Sequence, residues 1–247
     1  MRLTPRFVGR LGVADAVTVT NAALGFLAAA VATVDPRVAA QLILLAAVAD
    51  GLDGIAARRL GSTPAGHYLD SLADVASFAI APAVLATVLV IGGTGANTSP
   101  LLLLAAFGVP ALYVVMAVVR LGLYTAYDTD ADHTYGIQST LAATIVAAAT
   151  LADIVDPIAL LGVLAVCSYL MVSPIRYPDL LVRDAIIMGV VHVLAILIPG
   201  YLSGAFPVAL LTLALAYLAL APRFYWGDWE RQHPSSAAGT SAEGKRS

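Results

Sequence analysis

Long apolar runs alternate along the chain with short polar breaks, at helix rather than strand lengths. The runs fall at 13–34, 38–58, 66–91, 100–124, 138–154, 157–174, 183–199 and 204–221. A helix that crosses a bilayer needs about 20 apolar residues, so the pattern predicts about eight transmembrane helices with short connections. The fifth and sixth runs are short, and the break between them rests on Asp153, Asp156 and Pro157. Seven spans, or a re-entrant pair, is the alternative there.

Composition turns this pattern into a class. Of 247 residues, 60% are hydrophobic and 12% charged, and the mean hydropathy is +0.88, which leaves too little polar surface to cover a globule in water. The expected fold is an all-α polytopic membrane protein. A formal charge of −3 offers no basic face to nucleic acid, and the lone Cys167 excludes an internal disulfide. An even number of crossings places both termini on one side of the membrane. Arg2, Arg6, Arg10, Arg58, Arg59, Arg120, Arg176, Arg183, Arg223, Arg231, Lys245 and Arg246 then share that side and Arg37 stands opposite, which makes it cytoplasmic by the positive-inside rule. The first run is expected to be retained rather than cleaved, because its loss would leave an odd number of spans. Residues 1–12 read as an interfacial segment, 13–222 as the transmembrane domain and 223–247 as a cytoplasmic tail, largely disordered, with Tyr225, Trp226 and Trp229 at headgroup level.

Against this apolar background, Asp50 and Asp53 fall in the second predicted helix and Asp70 and Asp74 in the third. An intramembrane carboxylate costs a few kcal/mol even on the gentlest scale, so four require neutralisation. Counted from the hairpin between Arg58 and Gly66, Asp53 and Asp70 lie about 6 to 8 Å deep, and Asp50 and Asp74 about 12 Å deep. Spacings of three and four keep each pair on one helix face. Arg58 and Arg59, the basic residues nearby in sequence, cannot balance four acids, whereas two divalent cations would. Oxygen-only ligands favour Mg²⁺ or Mn²⁺. His67 reads as a solvated histidine at the mouth, and His192 as a packed core histidine. Gly51, Gly54, Ala57 and Gly66 clear space beside the acids for a bulky polar ligand, although helix packing would also use small residues. Such a site suits phosphoryl chemistry on a lipid diphosphate. An ion or solute pathway is the competing class.

The string Asp50-Gly51-Leu52-Asp53-Gly54-Ile55-Ala56-Ala57-Arg58, then Gly66-His67-Tyr68-Leu69-Asp70-Ser71-Leu72-Ala73-Asp74, closely resembles the signature of the CDP-alcohol phosphatidyltransferases, D-x-x-D-G-x-x-A-R and G-x-x-x-D-x-x-x-D. Every fixed residue is present; the spacer, Arg59 to Ala65, is one residue shorter than usual. The resemblance implies a CDP-activated lipid at paired metals, with an alcohol displacing CMP. It assigns Asp50, Asp53, Asp70 and Asp74 as metal ligands, Asp74 also as general base, and Gly54, Ala57, Arg58 and Gly66 to the nucleotide pocket. Ser71-Leu72-Ala73-Asp74, Phe78 and Pro82-Ala83 look like the serine-transferring branch, and Thr18 and Asn21 match its T-x-x-N, expected at the nucleotide. Ile137-Gln138 departs from the Leu-Pro of many serine synthases.

The expected partners are therefore a CDP-activated lipid, L-serine and the membrane, with a homodimer as a candidate assembly. One Arg can grip the serine carboxylate in bidentate fashion, and Arg120 and Arg176, each ending a span on the cytoplasmic side, are the candidates. Inositol phosphate and glycerol phosphate, which need more cations, are the alternative acceptors. The acidic loop of Asp128, Asp130, Asp132 and His133 reads as a solvated linker. Twelve Arg against one Lys point to a GC-rich genome and, on a salt-adapted archaeal reading, to ether-linked isoprenoid chains; a diacyl donor stays open.

Overall fold

In a computed structural model, residues 10–61, 63–95, 99–128, 133–154, 156–178 and 182–225 are described, with the side chains of 56–60, 128, 133, 157, 178, 182 and 225 excepted. Residues 1–9 of the expected interfacial segment 1–12, the tail beyond 225 with Trp226 and Trp229, and Asp130 and Asp132 lie outside them.

A helix occupies each of the eight apolar runs. In chain order they are α1 (Val13–Val31), α2 (Pro36–Leu60), α3 (Gly66–Asp74) continuing into α4 (Ala81–Thr94), α5 (Pro100–Leu123), α6 (Ser139–Leu151), α7 (Pro157–Met171), α8 (Val182–Leu197) and α9 (Ala205–Leu220). Among the described residues, five helical stretches are long and apolar enough to cross a membrane: Val13–Val31, Pro36–Ile55, Gly66–Thr94, Pro100–Tyr127 and Tyr201–Phe224. The short α6 is buried almost all round, from Leu141 to Ala148, and packs on α2 and α9 at the centre of the bundle. The break after it lies where Asp153 and Asp156 place it. Asp153 has φ +60°, and the Asp156 carboxylate accepts the Ala159 N–H at 2.8 Å, capping α7 with Pro157 in the first turn. Arg37 reaches that turn and pairs with Asp153 at 3.0 Å.

Two features depart from the sequence expectation of uninterrupted helices. The third run is not one straight α-helix, because a π-helical turn, Val75–Ile80, separates α3 from α4. Pro82 has no N–H to give the carbonyl four residues back, that of Phe78, and the Tyr113 hydroxyl of α5 donates to it instead at 2.8 Å. A related exchange runs in reverse: Pro110 in α5 frees the Ala106 carbonyl, and the Thr87 hydroxyl of α4 is shared between it, at 3.2 Å, and the Ala83 carbonyl of its own helix, at 2.9 Å. The second departure is a short antiparallel ribbon within an otherwise helical fold. β1 (His133–Tyr135) pairs with β2 (Arg176–Pro178), Thr134 opposite Tyr177, so that the loops after α5 and α7 satisfy each other's backbone. His133, read as part of a solvated linker, belongs to this ribbon.

α1 crosses the third helix closely. A Cβ on Gly25 would lie 2.6 Å from the Ser77 backbone, so a larger residue there would force the two helices apart. The Ser77 hydroxyl donates to the Asn21 carbonyl at 2.7 Å, fixing α1 against the π-helical turn.

Candidate carboxylate site

α2 and α3 form the hairpin that carries the acids, with Gly61 in the left-handed conformation (φ +86°) just past the end of α2. Thr63 in the connection donates to Asp15 at 2.8 Å, and Asp15 also accepts the Gly12 N–H at 2.7 Å, so the hairpin loop is tied to the start of α1.

One carboxylate oxygen each from Asp50, Asp70 and Asp74 lies within 4.8 Å of the others. The sequence pattern placed four acids in two stacked pairs; the structure gathers three and turns the fourth aside. Asp53, buried like Asp74, accepts a hydrogen bond from the Thr18 hydroxyl of α1, while remaining close enough for its charge to act on Asp50, Asp70 and Asp74. Asn21, one turn along α1, donates its side-chain amide to Asp74 at 3.5 Å, and its Oδ1 is buried with no hydrogen-bond partner. Thr18 and Asn21, expected at the nucleotide, are thus directed at the acids.

To Arg58 and Arg59, the basic residues nearby in sequence, the structure adds a cation from elsewhere in the chain. Arg120, at the end of α5, is 7% exposed, and its charge acts on Asp50, Asp70 and Asp74 while its guanidinium lies 5.3 Å from the Tyr124 ring centre. It comes from a distant part of the chain, which its sequence position alone does not reveal. The side chains of Ala57, Arg58 and Arg59 lie outside the described residues. Arg176 stands exposed on the ribbon, over the ring of Tyr135 at 5.4 Å. Ser71, taken as a mark of the serine branch, shares a hydrogen bond with Thr125. His67 is exposed at the mouth, near Asp70. Gly54 and Gly66 are half-buried on the two arms of the hairpin.

Two contributors escape the sequence reading. Asp15 is 2% exposed, and with Thr18 and Asn21 it forms a polar stripe at three-residue spacing on the buried face of α1, a periodicity visible in the sequence. Thr140, near the start of α6, lies close enough for its hydroxyl to act on the Asp50 carboxylate. Only the folding of α6 against α2 brings it there.

Two like charges at this separation repel by about 3 to 4 kcal/mol even at an effective dielectric of 20. Among the described arginines, Arg120 by itself does not offset three converging carboxylates and Asp53. A cluster of oxygen donors with a surplus of negative charge and an unpartnered buried Oδ1 beside it has the donor chemistry of a hard divalent cation site.

Comparison with known proteins agrees with the site. The family model described as CDP-alcohol phosphatidyltransferase matches residues 11–229. The chain is similar to a CDP-diacylglycerol–serine O-phosphatidyltransferase of Mycobacterium leprae, 41% identical over 92 residues, which is 37% of this chain and 28% of that protein. It is also similar to an archaetidylserine synthase of Methanothermobacter thermautotrophicus, 28% identical over 169 residues, covering 66% of this chain and 68% of the relative. The chain thus aligns with well under half the length of the mycobacterial protein.

Proposed function

The chain belongs to the CDP-alcohol phosphatidyltransferase family, and from that premise we propose that it transfers the phosphatidyl or archaetidyl group of a CDP-activated lipid to the hydroxyl of L-serine, releasing CMP. The observation that carries the proposal is the convergence of Asp50, Asp70 and Asp74 from two helices of one hairpin. Asp50, Asp53, Asp70 and Asp74 would hold two Mg²⁺ or Mn²⁺ ions, whose charge would offset the diphosphate and the developing charge on CMP.

The chain's own groups do the rest. Asp74 takes the proton of the serine hydroxyl, whose oxygen attacks the lipid-side phosphorus as the bond to CMP breaks. CMP leaves with that electron pair, and the proton passes from Asp74 to solvent at the mouth. Thr18 and Asn21 hold Asp53 and Asp74 in direction, while Gly54, Ala57, Arg58 and Gly66 frame the nucleotide. Arg120 is favoured over Arg176 for the serine carboxylate, because it is buried beside the acids whereas Arg176 is exposed on the ribbon. The site faces the cytoplasm from the cell membrane, in keeping with the one-sided distribution of arginine.

The serine acceptor draws support from the names of the two relatives. Purified protein supplied with a CDP-activated lipid and L-serine is expected to release CMP. CMP release with inositol phosphate or glycerol phosphate, and none with serine, would overturn the acceptor. No CMP release with any alcohol, together with solute movement across vesicles, would overturn the transferase itself.

A further inference from the structure

Three side chains of α1 meet the α2–α3 hairpin at successive depths. Asn21 donates to Asp74, Thr18 donates to Asp53, and Asp15, in the first turn, accepts from Thr63 of the connecting loop at 2.8 Å. From Asp15 to Asn21 the stripe covers about 9 Å of helix. Its two deeper contacts serve the acids. The uppermost ends on the loop, and the proposed chemistry gives it no task.

An acid at the start of α1 has a local reason, since a helix N-terminus favours negative charge and the Asp15 carboxylate accepts the Gly12 N–H at 2.7 Å. That reason does not call for Thr63. The same oxygen, Oδ2, takes both bonds, and Asp15 is 2% exposed, so the Thr63 hydroxyl donates to a charge withdrawn from water. Among the described loop residues, Gly61, Pro64 and Ala65 have no side-chain donor, so Thr63 is the one equipped to tie the loop to another element. Its methyl lies beside Gly12, where an added Cβ would come within 3.5 Å of it. Its carbonyl accepts the Gly66 N–H at 3.0 Å. Thr63 thus holds α1 through its side chain and the first residue of α3 through its backbone. Gly54, Ala57 and Arg58 before the loop, and Gly66 after it, frame the nucleotide in the proposed reaction.

We propose that Asp15 and Thr63 are positioning residues, which fix the opening between the end of α2 and the start of α3 and so set the affinity for the cytidine nucleotide. The inference rests on the transferase function proposed above. A nucleotide is a stiff ligand that must fit between the two arms of the hairpin. A loop released from α1 samples other openings, and apparent affinity falls with the fraction of time spent in the competent one. The acids lie deeper and are held separately by Thr18 and Asn21, so turnover and acceptor binding are insulated from the change.

The test is Thr63→Val, which keeps the size and branching of the side chain and removes the donor. CMP release from a CDP-activated lipid with L-serine is measured in saturating Mg²⁺, together with binding of CMP itself and melting. The KM for the CDP-lipid and the Kd for CMP are both expected to rise about fivefold or more, while kcat and the serine KM change by less than about twofold. Thr63→Ser, which keeps the hydroxyl, should largely restore both. Asp15→Asn should show the same selective loss, and the double variant should lose little more than either single one, because both act through one bond. A folded valine variant that melts lower but binds CMP as the wild type does would overturn the proposal and reduce the tie to stability. Losses shared equally by serine and the CDP-lipid, or fully additive losses in the double variant, would overturn it as well. If the valine variant does not fold, Thr63→Ala carries the same measurements under the same criteria. A wild-type protein that releases CMP from no CDP-activated lipid with any alcohol would overturn the transferase function, and this inference with it.

Discussion

Under the proposed function, Asp74 meets two demands, a ligand oxygen and a base, with one buried side chain. Asp74→Asn keeps the shape and removes both the base and a negative charge. The variant is expected to fold and to lose about 10²- to 10⁴-fold in kcat, measured as metal-dependent CMP release. Near wild-type turnover would take Asp74 out of the chemistry. Thr18 acts one step back, through the hydrogen bond to Asp53. Thr18→Val is nearly isosteric, so its cost should appear mainly as weaker cation binding, by about 10-fold or more in the Mg²⁺ concentration for half-maximal activity. An unchanged Mg²⁺ dependence would reduce Thr18 to packing. Arg120→Lys should raise the KM for serine and leave that for the CDP-lipid nearly unchanged, because an ammonium cannot reproduce the guanidinium fork, whereas Arg176→Lys should alter neither. The opposite pattern would exchange the roles of the two arginines.

At the scale of elements, α4 and α5 solve a problem that each creates for the other. A proline inside a membrane helix frees a carbonyl that lipid cannot satisfy. Tyr113 and Thr87 each donate a hydroxyl across the helix pair to such a carbonyl. Tyr113→Phe leaves the Phe78 carbonyl unpaired in a buried setting and is expected to cost about 1 to 3 kcal/mol of stability. In a Pro82→Ala background the helix regains its own N–H donor, so the same Tyr113→Phe change should cost much less. Equal costs in the two backgrounds, read from a double-mutant cycle of melting, would show that the hydroxyl is not serving that carbonyl. The π-helical turn that accompanies Pro82 lies immediately after Asp74, and Ser77 within it holds the Asn21 backbone. Its place in the chain therefore matters to the acids as well as to the bundle.

For the whole molecule, the proposed two-cation site would make the bundle's stability conditional on the metal. Carboxylates gathered from α2 and α3 repel one another, and a cation bound only to the folded arrangement stabilises it by mass action. EDTA is expected to abolish CMP release and lower the melting temperature together, with Mg²⁺ or Mn²⁺ restoring both and Zn²⁺ restoring them poorly. Full activity in a rigorously metal-free preparation would end the two-cation proposal.

The division between what was legible in the sequence and what was not follows the range of the interactions. Apolar runs of spanning length fix helices locally, so the eight helical segments, the break at Asp153 and Asp156, and the acids on one hairpin could all be read from residues near one another in the chain. The signature of Asp50, Asp53, Gly54, Ala57, Arg58, Gly66, Asp70 and Asp74 is equally local, and it sufficed for the family. Partnerships between distant segments were not legible. That Thr18 bonds to Asp53, that Thr140 and Arg120 come to the acids, that Ser71 faces Thr125 and that β1 finds β2 all depend on which helices pack together. Helix periodicity says which face of a segment is buried, but not which neighbour covers it. That choice is made by packing, at Gly25 against Ser77 and by α6 at the centre of the bundle, where side chains far apart in sequence must fit one another.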